Sequence, residues 1–148
     1  MVAYTIDPIP TKYNSVTYRS QLEAKWSLFF TKYGIYHEYE SYRFKVRTGY
    51  YLPDFHLPEF KCYVEIKPTL DFASKDLLGR LADVSSQIGN AWLIAGPPQP
   101  NGHYVIVFRN GKQQETYNSN RHWLRVKGVF SYFRLKYAYD NVMRKQWE

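Results

Sequence analysis

Apolar positions along the chain recur first with a helical period and then with a period of two. In "SQLEAKWSLFFTKYG", Leu22, Trp26, Phe29, Phe30 and Tyr33 fall on one stripe and Gly34 follows as a stop, which predicts a helix over residues 19–33. Residues 1–17 carry two prolines and no clear period, and read as an irregular lead-in. In "YHEYESYRFKV", Tyr42, Phe44 and Val46 alternate with Ser41, Arg43 and Lys45, the pattern of a half-buried strand. "RTG" is a turn, and "YYLPDFHL" is a second strand whose internal Pro53 implies an edge or a bulge. "PEFK" turns the chain into a third strand, "CYVEIKP". There Cys62, Val64 and Ile66 point to one side and Tyr63, Glu65 and Lys67 to the other.

A second helix is expected over residues 73–88, with Leu77, Leu81, Val84 and Ile88 on one stripe. "AWLIAG" fits a buried strand, "GPPQPNG" a loop, and "YVIVFRNGKQQETY" a hairpin turning at Asn-Gly. Residues 129–147 read as a closing helix with Phe130, Phe133, Tyr137 and Asp140 on or beside one stripe. The order helix, three strands, helix, strand, hairpin, helix predicts an α/β (α+β) chain, a mixed sheet with helices packed on it. No repeat or linker divides the 148 residues, so a single domain is expected, with a core over residues 18–96 and an extension over 97–148.

Composition narrows the function classes. No apolar run is long enough to cross a bilayer, and the start "MVAYTIDPIP" lacks the basic and apolar regions of a signal peptide. Cys62 is the single cysteine, which excludes an internal disulfide and a multi-thiolate zinc site and favours a reducing, intracellular setting. The net charge is +7 and the pI about 9.4. That balance points to a polyanionic partner, nucleic acid first and an anionic membrane second. Seven cations against two acids fall in residues 121–148: Arg121, Arg125, Lys127, Arg134, Lys136, Arg144 and Lys145. Aromatics are interleaved with them, a mixture suited to phosphate contact and base stacking; a solubilising helix surface reads equally well. No G-x-x-x-x-G-K-[ST] loop and no Gly-x-Ser-x-Gly elbow occurs, so neither an ATP-driven motor nor an acyl-transfer hydrolase is indicated.

The chemistry concentrates in "YYLPDFHLPEFKCYVEIKP". Glu65 and Lys67 share a strand face, and the turn at residues 58–61 brings Asp54 back beside Glu65. Two carboxylates with a backbone carbonyl such as that of Ile66 make a hard-ligand site for Mg²⁺ or Mn²⁺. A water on such an ion can attack a phosphodiester, with Lys67 orienting the water or holding the phosphate. Without a cation the paired carboxylates repel. Glu23, on the first helix, is a fourth candidate, although Ser20-Gln21-Leu22-Glu23 also matches a capping box. Asp54 and Glu65 could instead pair with Arg43 and Lys67 as a surface ion cluster, or Asp54 could be a bulge residue. His56, two residues after Asp54, is expected at the rim.

"PDF" followed by "VEIK" resembles the PD-(D/E)xK nuclease superfamily, whose restriction-endonuclease-like core runs helix, three strands, helix, strand. "YRSQLEAKW", "YLPDFHLP" and "VEIKP" are similar to small bacteriophage proteins of that superfamily, with the pattern R-S-x-x-E-A-x-W, Y-L-P-D-F-x-L-P and E-[VI]-K-P. The likeness covers residues 18–96, and "AYDNVMRKQWE" is less specifically similar to their closing helix. The resemblance implies a metal-dependent endonuclease acting on DNA, with Asp54, Glu65 and Lys67 as the catalytic trio and Glu23 as the helical acid. It implies a phage-encoded protein working in the host cytoplasm, and a homodimer if the substrate is a DNA junction. Some superfamily members carry Gln-x-x-x-Tyr on the second helix; Gln87 falls nearby, but Ala91 stands where the tyrosine would be. A nuclease fold used only for binding nucleic acid or modulating a host, and a phage structural or assembly protein, are the alternatives.

Overall fold

The computed structural model describes residues 8–147. Their chain opens with a hairpin where an irregular lead-in is expected; residues 1–7 of that lead-in lie outside the described residues. Asn14 and Ser15 both take positive φ, 52° and 68°. This two-residue turn joins β1 (Thr11–Tyr13) to β2 (Val16–Tyr18). α1 (Gln21–Tyr33) follows, capped by the Ser20 hydroxyl at one end and by left-handed Gly34 at the other. β3 (Glu38–Tyr39) is a short edge.

β4 (Phe44–Val46) and β5 (Gly49–Tyr51) form a two-stranded ribbon outside the central sheet. The single strand expected from "YYLPDFHL" is therefore two. Pro53 cannot donate to a ladder, and the chain leaves one pairing at Tyr51 and enters another in β6 (Phe55–Leu57). The expected strand at residues 41–46 shrinks to β4, with Tyr42 exposed before it.

β6 pairs antiparallel with β3 and with β7 (Cys62–Lys67). α2 (Lys75–Ile88) then carries the chain over to β8 (Asn90–Ala95), which runs parallel to β7. β9 (Tyr104–Arg109) and β10 (Lys112–Asn118) close the sheet as a hairpin, in the order β10-β9-β8-β7-β6-β3. The result is a mixed α/β fold built on a central mixed sheet. Period two in β7 and β8 separates two cores. Val64, Ile66, Trp92 and Ile94 pack against α1, while Tyr63, Ala91 and Leu93 pack with the ribbon and α2.

The C-terminal part departs from expectation in two ways. α3 (Ser119–Lys127) is an additional helix that drives Trp123 and His122 into the core. In α4 (Tyr132–Arg144) the buried stripe is Leu135, Ala138, Tyr139 and Val142. The expected stripe faces outward, with Phe130 98% and Phe133 81% exposed. Both stripes have helical spacing, and α4 turns toward α1 the one whose smaller side chains allow close approach, Ala138 among them. Among the described residues no helix is long and apolar enough to cross a membrane.

Candidate active site

Where β6 begins, the ladder with β7 is extended by a side chain. Just past the Phe55–Val64 pair, the Ile66 amide donates to Asp54 Oδ2 at 2.8 Å. The Asp54 carbonyl accepts from the Glu40 amide at 2.8 Å. Asp54 is thus fixed at both its backbone and its carboxylate by the two strands it lies between. Glu65, on the next face of β7, is 7% exposed. Its Oε1 accepts from the Tyr51 hydroxyl at 2.6 Å and its Oε2 lies 3.5 Å from Lys67 Nζ. Lys67 is held from behind, its carbonyl accepting from the Gly96 amide at 2.8 Å.

Glu23 reaches the same place from the first turn of α1. Its amide takes the Ser20 hydroxyl as acceptor at 3.1 Å, the N-cap half of the expected capping box. The return half differs: Glu23 Oε2 accepts from the Ser20 hydroxyl, at 2.8 Å, and Oε1 accepts from the Tyr39 hydroxyl at 2.6 Å. The cap thus engages Glu23 at both its amide and its carboxylate, and the same carboxylate still lines the cavity.

Glu23, Asp54, Glu65, Ile66 and Lys67 all line one cavity of about 760 Å³ at the C-terminal end of β7. That end of a strand, beside its parallel neighbour and crossover helix, is where open α/β sheets commonly bind ligands. Four acids line the cavity, Glu23, Glu40, Asp54 and Glu65, against two cations, Arg19 and Lys67. Burial pushes the Asp54 carboxyl well above the ordinary aspartate range. The neighbouring charges of Glu65 and Glu23 push it the same way, against the Ile66 amide and Lys67. Burial raises Glu65 as well, opposed by the Tyr51 hydroxyl and Lys67, with Glu23 adding to the rise. Burial, and then the Glu65 charge, push the Tyr51 phenol far up, so it remains a donor.

Among the described residues no three His, Cys, Asp or Glu side chains already converge as a ligand set. Mg²⁺ and Mn²⁺ ask little of a protein: one or two carboxylates, with water and phosphate oxygens completing the shell. Asp54 and Glu65, kept close at a cost that a cation would remove, fit that demand.

Several expected residues lie elsewhere. His56 Nδ1 lies 2.6 Å from Glu38 Oε1 and its ring stacks on Tyr63 at 4.3 Å, so it serves the β3–β6 edge. Gln87 Nε2 donates to the Lys45 carbonyl at 2.8 Å, tying α2 to the ribbon. The seven tail cations do not line the cavity. Lys127 lies 3.5 Å from the Gly34 carbonyl and Arg134 Nε donates to the Lys32 carbonyl. Both contacts are at the far end of α1, about 15 Å along the axis from Glu23 at 1.5 Å per residue. Arg121 and Arg125 lie over the Tyr117 ring on β10. Arg144 pairs with Asp140, Lys145 lies over Trp147, and Lys136 is exposed on α4.

Tyr39, Tyr51, Arg19 and Glu40 were not expected at the site. The two tyrosines had no sequence signal among the chain's 15. Arg19 and Glu40 were readable only as charges flanking the first helix and strand. Comparison with models of known protein families finds no match, and comparison with curated proteins finds none either.

Proposed function

We propose that the protein is a divalent-metal-dependent endonuclease that hydrolyses DNA phosphodiester bonds, on a restriction-endonuclease-like core resembling that of the PD-(D/E)xK superfamily. The observation that carries this reading is the meeting of Asp54, Glu65 and Lys67 with Glu23 in one cavity at a sheet end. Asp54, Glu65 and the Ile66 carbonyl would hold Mg²⁺ or Mn²⁺, with Glu23 near enough to share in the task. Bound there, the cation supplies Lewis-acid stabilisation of the phosphoryl group and a more acidic attacking water.

The chain's own residues do the rest. Lys67, kept beside Glu65, presents an ammonium to the attacking water or to a phosphate oxygen. Tyr51 donates to Glu65 and Tyr39 to Glu23, and with Lys67 and Ser20 on the second oxygens they fix the plane of each carboxylate. Glu23 is placed to accept a proton or to hold a water at the cavity wall. The exposed cations of α3 and α4 would act at a distance from the cut bond, by drawing a long polyanion to the surface.

The test is cleavage of plasmid, branched and single-stranded DNA in Mg²⁺ and in Mn²⁺, with EDTA as control. Asp54→Ala is expected to lower the rate on the order of 10³-fold. Cutting that survives the substitution, or that ignores EDTA, overturns this site. Tight DNA binding without cutting in either metal favours the binding-module alternative.

A further inference from the structure

Arg19 stands at the mouth of the cavity. Its backbone is fixed by what flanks it. Tyr18, which ends β2, is buried with its hydroxyl 2.7 Å from Ser27 Oγ, and Ser20 is the N-cap of α1. The Arg19 amide donates to the Tyr39 hydroxyl at 3.0 Å, the same hydroxyl that holds Glu23. The side chain is free by contrast: it is 70% exposed, and its contact is a single one, Nε to Glu40 Oε2 at 2.8 Å. The other guanidinium N–H groups have no hydrogen-bond partner among the described residues. Glu40 has positive φ, 48°, and its amide is bonded to the Asp54 carbonyl. The carboxylate that holds Arg19 is thus tied to the backbone of the catalytic aspartate.

We propose that Arg19 takes a phosphate of the nucleic-acid strand at the cavity mouth, and that Glu40 occupies it until that phosphate arrives. This rests on the nuclease reading of the cavity. A guanidinium fork fits a carboxylate and a phosphodiester with the same geometry, so one can replace the other without moving the backbone. Gln21 and Leu22 line the cavity beside Arg19, and the first amides of a helix have no intrahelical acceptor. The positive end of α1 adds to the attraction for an anion there. The other charges that line the cavity are Glu23, Asp54 and Glu65, with Lys67 beside Glu65. A phosphate approaching four acids needs a cation that can leave its carboxylate, and Arg19 is the exposed one at the rim. Exposed ion pairs add little to stability, so the Arg19–Glu40 contact has no strong structural reason of its own.

The experiment is binding of a short fluorescent DNA duplex and of its single strand to the full chain in Ca²⁺, across a salt series. Arg19→Gln is expected to weaken binding about tenfold and to make the slope of log Kd against log salt shallower by about one. Its melting temperature is expected to match that of the wild type. Arg19→Lys restores the slope and part of the affinity. Glu40→Gln is expected to tighten binding, and to have no effect when Arg19 is already Gln. Arg19→Gln with wild-type affinity and slope, in a wild type that binds DNA, overturns this inference alone. So does a Glu40→Gln gain that persists without Arg19. A wild type that binds neither DNA overturns both this inference and the nuclease reading.

Discussion

Titratable groups are buried in two regions of this protein, and the two treat them differently. In the aromatic core between α1, α3 and the sheet, His103 bridges the Pro97 carbonyl at 3.1 Å and the Trp123 indole N–H at 2.8 Å. His122 lies edge-on to Trp92 at 4.4 Å, with no hydrogen-bond partner on either nitrogen among the described residues. Burial drives both imidazoles down, His103 to about 4 and His122 to about 3, so both are neutral and pack as aromatic rings. At the end of β7, burial raises Asp54 and Glu65 instead. A buried imidazolium ends its conflict by losing a proton. Two adjacent carboxylates end theirs only by gaining a proton or a cation. The core tolerates these groups because they are uncharged; the cavity keeps groups that packing alone would not select.

Acid separates the two regions most strongly. The unfolded histidines bind protons below pH 6.5, and the native ones do not until about pH 4 for His103 and about pH 3 for His122. Their contribution is complete above pH 6.5 and is lost as the pH falls toward those values. Between pH 6.5 and pH 4 the loss is on the order of 3 kcal/mol for each ring. Urea denaturation between pH 7 and pH 4 measures it, and His122→Phe is expected to remove part of the slope.

The carboxylates run the other way. Their native affinity for protons is raised, so their unfavourable contribution grows as the pH rises above the ordinary carboxylate range, and Mg²⁺ is expected to offset it. The rise in melting temperature on adding Mg²⁺ should therefore be larger at pH 8 than at pH 5.5. Asp54→Asn, which keeps an acceptor for the Ile66 amide, is expected to stabilise the metal-free protein by about 1 kcal/mol while abolishing cleavage. A destabilised variant would mean that Asp54 is a structural cap.

Gln87 gives the smallest effect. Gln87→Ala is expected to cost about 1 kcal/mol or less, through the lost bond to the ribbon, and to leave cleavage unchanged. A fall in cleavage rate at unchanged stability would return Gln87 to the site.

Much of this was readable beforehand because one local signal decided each element. Gly34 ends α1, Asn110-Gly111 turns the β9–β10 hairpin, and the alternation in β7 separates Val64 from Glu65. The elements that escaped had two signals in balance. "NS" turns β1 into β2 without the glycine that usually marks such a turn. α3 buries little besides His122 and Trp123, too few positions to show a period. α4 carries aromatics on both faces, and only the shape of α1 decides which face is covered. The site acids were legible as types at a spacing. Their tyrosine partners were not, because Tyr39 and Tyr51 come to Glu23 and Glu65 only once β3 and the ribbon have been placed.

Gly96 belongs to both regions. Its amide holds the Lys67 carbonyl at 2.8 Å and its carbonyl accepts from the Trp26 indole at 3.0 Å. It sits at φ 108°, where an added Cβ would lie 2.2 Å from the Gly102 carbonyl oxygen. A single residue therefore splices β7 to the aromatic core. A displacement of Gly96 itself would loosen the Lys67 carbonyl and the Trp26 indole together. Hydrogen exchange at the Gly96 amide and at the Trp26 indole would read the two sides of this joint separately, and matching rates would mark a shared opening.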